Sequence, residues 1–395
     1  MNNSSEQLIG KHPRIEAVDA LRGFAVMAIL LVHNLEHFIF PVYPADSPGW
    51  LNALDQGVFN VVFTLFAGKA YAIFALLFGF TFYIQSDNLK RRGGDFGYRF
   101  LWRLVLLAGF ATLNAAFFPA GDVLLLFVVA GLVLFFTRNW GDGAILAAAV
   151  VFLLQPVEWY HCIAALLNPA HRLPDLGVGE MYARVAEYTK AGNFGDFILG
   201  NVTLGQKASL LWAVNAGRFV QTAGLFLLGF YIGRKQLFAA TEKNLRFWVK
   251  TLIVSAIAFA PLYTLRELVT DNGAVVGQTA GTALDMWQKL AFTLVLVASF
   301  ILLYQHKNFS KAVAGLRFYG KMSLTNYISQ SIIGVFIYFP IGLNLAPYCG
   351  YTLSLSVGFL IFLLQLKFCK WWLARHKQGP LEYIWHKCTW IGTGK

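Results

Sequence analysis

Residues 17–40 read AVDALRGFAVMAILLVHNLEHFIF, an apolar stretch of membrane-spanning length that carries Asp19, Arg22, His33, Asn34, Glu36 and His37. On a helix, the step from Arg22 to His33 covers about 16 Å and returns the side chain to nearly the same face. Gly23, Val26 and Leu30 lie close to the line between them. A cation and an imidazole inside hydrocarbon cost several kcal/mol unless a partner or a task holds them there. The stretch therefore predicts a transmembrane helix bearing a functional stripe, and points to an enzyme rather than a passive membrane protein.

The rest of the chain agrees with a membrane setting. Of 395 residues, 57% are hydrophobic and 13% charged, about half the charge of a soluble domain. The aromatic content, with 36 Phe, suits lipid-facing and interfacial surfaces. Cys162, Cys349, Cys369 and Cys388 have no metal-like spacing and read as ordinary apolar or interfacial residues. The polar N-terminus runs into a full-length span without a small-residue cleavage pattern, so no cleavable signal peptide is expected.

Apolar runs of about 17–25 residues predict ten spans, near 17–40, 57–85, 100–118, 122–137, 144–165, 214–233, 249–265, 288–304, 322–340 and 351–368. Pro156 falls in the fifth, as a kink. With both termini in the cytoplasm, most of the 32 Lys and Arg gather on that side, among them Lys11, Arg14, Lys90, Arg138, Arg234, Arg317 and Lys321. The outer loops near 41–56, 119–121 and 341–350 hold neither Lys nor Arg, as the positive-inside rule requires. The expected fold is an all-α polytopic membrane protein of about ten transmembrane helices, both termini cytoplasmic. It is a single transmembrane domain over residues 1–395, with one outer loop of about 45 residues (166–213) as a lid or cap and a cytoplasmic tail over 369–395. The +12 net charge then forms a rim against anionic membrane lipids, and nucleic acid is not expected as a partner.

Within the spans, Asp19 and Arg22 can pair on one helical face, either as a topogenic charge pair or with Arg22 as a ligand for an anionic group. His33 and His37 share a face at i, i+4, which suits a structural histidine, a general base or a metal pair; no third ligand is identifiable and no metal is expected. The second span, GVFNVVFTLFAGKAYAIFALLFGFTFYI, holds Lys69 about midway, too deep to snorkel readily. The sixth carries Arg218 and Gln221, then Gly224, Gly229 and Gly233 as a packing face. The ninth opens with GKMSLTNYISQS (320–331), where Asn326 and Gln330, one turn apart, offer amides to another helix, to a substrate or to Lys69.

DALRGFAVMAILLVHN, GKAYAIFALLFG, GKMSLTNYISQS and the tail segment GPLEYIWHKCT (379–389) together resemble the DUF418, or YeiB-like, family of bacterial membrane proteins, over almost the whole chain. That family is similar to the transmembrane acyltransferases, which include the acyltransferase-3 proteins that decorate surface glycans and the lysosomal heparan glucosaminide acetyltransferase. Arg22 and His33 match the R-x10-H pattern of the acyltransferase-3 group, although many YeiB-like sequences carry Asn at the place of His33. The resemblance implies a multi-pass enzyme of the bacterial inner membrane. It would move an acyl group, acetyl first, from cytoplasmic acetyl-CoA or another acyl-CoA to a glycan or lipid-linked sugar outside. His33 is then the general base or acyl carrier, with Lys69 and Asn326 stabilising the oxyanion. Arg22, Arg91, Arg92, Arg99 and Arg103 hold the cofactor, and Asn34, Glu36, His37, Arg218 and Gln330 meet the substrate. A homodimer is one assembly open to it. The competing classes are a transporter or flippase for a small anionic or lipid-linked metabolite, and a scaffold. A single-site enzyme predicts a tunnel between the first, second and ninth spans, lined by Arg22, His33, Lys69, Asn326 and Gln330.

Overall fold

The apolar runs build helix throughout: the computed structural model describes residues 15–270 and 274–391, with no strand among them. Lys11 and Arg14 lie outside the described residues. The chain begins with α1 (Glu16–Leu35), α2 (Gly49–Phe66), α3 (Lys69–Lys90), α4 (Gly97–Ala116) and α5 (Leu124–Thr137). The fifth predicted span is α6 (Asp142–Leu153) and α7 (Pro156–Leu167), bent by 47° where Gln155 turns left-handed before Pro156. The segment expected as a cap holds α8 (Val178–Ala191), α9 (Phe194–Gly200), a π-turn over Asn201–Gly205 and α10 (Gln206–Asn215). There follow α11 (Arg218–Arg234), the long pair α12 (Glu242–Thr270) and α13 (Val275–Tyr304), and the short α14 (Lys307–Ala312) and α15 (Ala314–Lys321). The last elements are α16 (Ser323–Tyr338), α17 (Tyr351–Leu373) and α18 (Pro380–Thr389).

Among the described residues, five segments are long and apolar enough to cross a membrane: α1, the α2–α3 stretch, α12, α13 and α17, or six with α6–α7 as one. Their exposed faces are apolar. Ile257 and Val254 on α12 are 71% and 65% exposed, a surface that hydrocarbon covers and water would not. The chain is thus a multi-pass membrane protein. α1 is its axis: its apolar window is 78% buried, against 6% for the peripheral α12.

Glycines set the closest helix crossings. A Cβ on Gly79 of α3 would lie 1.9 Å from the Phe226 carbonyl oxygen on α11, and one on Gly229 of α11 would lie 1.9 Å from that of Leu76. Gly23 and Gly320 make the equivalent contact between α1 and α15. Backbones that touch in this way gain dispersion contacts along their length, a substitute for the hydrophobic drive that lipid does not provide.

Expectations of extent are corrected, among them the starts of α12 and α13, at Glu242 and Val275 rather than near 249 and 288. The first helix ends at Leu35 rather than near residue 40, because His37, Phe38 and Ile39 are left-handed (φ 45°, 54° and 63°). That conformation costs an L-residue about 1–2 kcal/mol. Here the His37 ring is stacked between Tyr43 and Tyr338, at 4.6 and 4.3 Å, and Phe38 fills the space that Gly334 leaves open. The second span begins at Gly49 rather than 57 and breaks at Ala67–Gly68, where Gly68 takes a φ of 76°.

Long-range side-chain bonds define two ends. At one, Glu16 pairs with Arg317, Arg138 with Asp95 at 3.8 Å and Arg234 with Asp142 at 2.9 Å, and Arg99 donates to the Thr389 carbonyl at 2.9 Å. We call this the basic end. At the other, Asn114 donates to Asp122 at 2.9 Å, Ser209 to the Asp122 carbonyl at 2.7 Å, and the Thr352 amide to Asp55 at 2.8 Å.

Candidate functional site

α1 passes two cavities. The larger, about 660 Å³, opens at the end away from the basic rim, between α1, α3, α16, the α4–α5 loop and α8–α10. His33 and Glu36 line it from α1, Tyr71 from α3, Tyr327 from α16, and Arg218 from the start of α11. The His33 ring lies 4.6 Å from that of Phe118, and its Nδ1 is buried without a hydrogen-bond partner among the described residues. Arg218 sits over the rings of Tyr71 and Trp212, at 5.1 and 4.6 Å, and its charge reaches both His33 and Glu36. The segment α8–α10 closes one side. Tyr182 donates to the Ala120 carbonyl at 2.8 Å, and Tyr182, Ser209 and Trp212 all face the cavity.

The second cavity, about 280 Å³, lies at the basic end. Arg22 reaches it from α1, with Nη2 donating to Thr81 Oγ1 at 2.9 Å, and Arg103, Lys321 and Lys377 add positive charge. A neighbouring hollow of about 410 Å³ carries Arg92 and shares Arg103. α18 forms the wall of both. Trp385 and Trp390 hold Arg103 and Arg99 at 4.2 and 5.4 Å. Glu382 accepts the backbone amides of Leu324 and Thr325, at 2.7 and 3.0 Å, and the Thr325 hydroxyl at 2.6 Å. These are free donors of the first turn of α16, so a carboxylate there also meets the positive end of the helix dipole. Burial raises the Glu382 pKa, and those hydrogen bonds oppose the rise. Replacing Glu382 by Ala should cost on the order of 2 kcal/mol of tail docking. The readout is faster amide exchange at Leu324 and Thr325 and easier proteolysis after residue 379; unchanged protection would contradict the clamp.

A thin aromatic layer separates the two cavities. Along α3, Tyr71 lines the larger and Phe74 the smaller; along α16 the change falls between Tyr327 and Ser323, and along α1 between Ile29 and Arg22. These steps are about 5–10 Å along the helix axes. Phe127 fills the layer, 5.7 Å from Tyr71 and 5.8 Å from Phe74, with Phe226 at 5.1 Å behind it.

The expected tunnel is therefore two chambers, and the predicted residues divide between them. His33, Glu36 and Arg218 share one; Arg22 and Arg103 share the other, with Arg92 beside it. Lys69, Asn326 and Gln330 line neither. Lys69 is buried with its ammonium 5.8 Å from the Phe292 ring. Asn326 faces α15 and α17, its amide donating to the Tyr319 carbonyl and to Cys369 Sγ at 3.0 and 3.3 Å. Gln330 is fully buried. Asn34 accepts the Tyr338 hydroxyl at 3.0 Å, and His37 bonds Ser354 Oγ at 2.7 Å and the Val42 carbonyl at 2.9 Å, so both clasp α1 to its neighbours. The left-handed turn removes the i, i+4 face that His33 and His37 were expected to share. Arg91 pairs with Asp87 at 2.6 Å, and Arg99 is held by the tail. Sequence reading missed Tyr71, Trp212, Lys289 and Tyr327; the signal for Lys289 was its i, i+4 spacing to Asp285 inside an apolar run.

Residues 232–392 match the family described as a protein of unknown function, DUF418. Over nearly its full length the chain is similar to the uncharacterized proteins YxaH of Bacillus subtilis and YeiB of Escherichia coli. The first is 23% identical over 98% of this chain and 97% of that protein, the second 25% identical over 94% and 95%. The chain is similar to the DUF418, YeiB-like proteins, by the family match in its C-terminal part and by these relatives along its length. An uncharacterized 39.9 kDa protein of Bacillus acidopullulyticus is 24% identical over 95% of this chain and 94% of its own. No solved structure matches it.

Proposed function

We propose that this protein, which resembles the DUF418 family, is an acyltransferase of the bacterial inner membrane, with ten passes and both termini cytoplasmic. The observation that carries the reading is α1 itself, which presents Arg22 to one chamber and His33 to the other across the aromatic layer. The basic end would face the cytoplasm, as the positive-inside rule favours. There Arg22, Arg92 and Arg103 suit the phosphates of acyl-CoA. The acyl thioester would reach through the layer, and the acceptor hydroxyl or amine would enter from outside.

In the outer chamber His33 takes the acceptor's proton as its oxygen or nitrogen attacks the thioester carbonyl. The new bond to the acyl carbon forms, the carbon–sulfur bond breaks, and the proton passes to the departing thiolate. Lys69 and Asn326, expected to stabilise the oxyanion, lie outside this space, whereas Arg218 faces it. The reading is tested by binding of acetyl-CoA to the purified protein and transfer of labelled acetyl to membrane glycans. Arg22→Gln should weaken acetyl-CoA binding at least ~10-fold, the equivalent of ~1.4 kcal/mol. Unchanged binding would remove the donor site from this chamber. Solute movement in vesicles without acyl-CoA would favour the transporter reading.

A further inference from the structure

A third cavity, about 510 Å³, adjoins the His33 chamber and shares Trp212, Arg218 and Lys289 with it. Arg266 from α12 and Asp285 from α13 complete its charged lining. Asp285 serves two cations, Lys289 at 2.5 Å and Arg266 at 3.4 Å. Arg218 has ring faces as its neighbours and no ion pair among the described residues. Lys69 is buried close by, with Lys289, Asp285 and Arg266 as its charged neighbours. Among the described residues, the carboxylates in reach are Asp285, Glu36 across the His33 chamber, and the half-exposed Glu267, which already pairs with Arg266 at 2.7 Å. Four cations thus stand against Asp285 and the half-exposed Glu267, with Glu36 across the chamber. Cations held in an apolar bundle at this density are costly unless an anion joins them.

We infer that this chamber binds an oxyanion, a phosphate or carboxylate carried by the acceptor, gripped by the planar forks of Arg218 and Arg266 with Lys289 between them. The inference rests on the acyltransferase reading for what the anion belongs to; the charge arrangement holds for any ligand that enters there. An anionic group seated here would place a neighbouring hydroxyl or amine towards His33 through the space the two cavities share. The acceptor is then an acidic one, either a sugar joined to lipid through phosphate or a sugar bearing a carboxylate. Both have the flat or tetrahedral oxygen edge that two guanidinium groups match.

The test uses the full chain in neutral detergent with acetyl-CoA saturating, so that the inner arginines are occupied. Thermal stabilisation is titrated with dodecyl phosphate and, separately, with glucuronate. A shift with dodecyl phosphate alone identifies a lipid-linked phosphate, and a shift with glucuronate alone an acidic sugar; either supports the inference. Arg266→Gln should raise the apparent dissociation constant at least ~10-fold, and Arg266→Lys, which keeps charge but loses the fork, should fall between. No shift with either probe in the unaltered protein overturns the inference, as does a shift that Arg266→Gln leaves unchanged. Acetyl-CoA binding without any anion effect would sink the inference alone. Anion binding without acetyl-CoA binding would sink the acyltransferase reading alone.

Discussion

Replacing His33 by Ala is expected to lower acyl transfer by at least ~10²-fold while acetyl-CoA binding persists. The separation of the two effects follows from geometry. Arg22 and Arg103 stand in one chamber and His33 in the other, beyond the aromatic layer. On the acyltransferase reading, loss of the imidazole should therefore leave the proposed donor site intact and remove the proposed proton acceptor. The ring also packs against Phe118 at 4.6 Å, so His33→Gln, which keeps bulk and polarity without a usable base, is the companion variant. Both should lose transfer equally and keep their melting temperature. Near-normal transfer by either folded variant would end the assignment of His33 as base or acyl carrier.

Gly79→Val is expected to abolish the folded protein. The new Cβ would fall 1.9 Å from the Phe226 carbonyl oxygen, and backbone cannot swing aside as a side chain does. Overpacking a core costs about 1–3 kcal/mol when side chains can adjust; here α3 and α11 must separate along their length, and the loss should reach the upper end of that range or beyond. Gly229→Val strikes the same crossing from the other helix and should behave alike. Gly57, on the exposed face of α2, has no atom within 4 Å of its would-be Cβ, so Gly57→Val should change stability by no more than ~0.5 kcal/mol. Yield and melting temperature in detergent check all three. A stable Gly79→Val protein would mean that the two helices do not touch there.

The membrane class was legible because hydrophobic length and misplaced charge are local properties of the chain. Arg22 and His33 were read onto one stripe, and the structure places each in a cavity along it. The break at Pro156 was legible for the same reason, since proline cannot donate the helical hydrogen bond. What escaped was set by partners. The turn at His37–Ile39 exists because Tyr43, Tyr338 and Gly334 receive those rings. Asn326 and Gln330 read as a polar pair for substrate, but the helix turns Asn326 towards Tyr319 and Cys369. Asp285 and Lys289 were lost by starting the eighth span at residue 288, after the carboxylate that gives the lysine its context.

The aromatic layer has an electrical consequence. On the proposed arrangement each chamber is wetted by the solution it faces, so the membrane voltage falls across the layer of Tyr71, Phe74 and Phe127 instead of the whole bilayer. A layer of about 5–10 Å standing in for a hydrocarbon core of about 30 Å concentrates the field at least threefold. A unit charge crossing it still meets ~2.3 kcal/mol for each 100 mV. A neutral acyl group meets none. The layer would act as a thin dielectric, letting the acyl group through while the charged carrier stays on the side it came from.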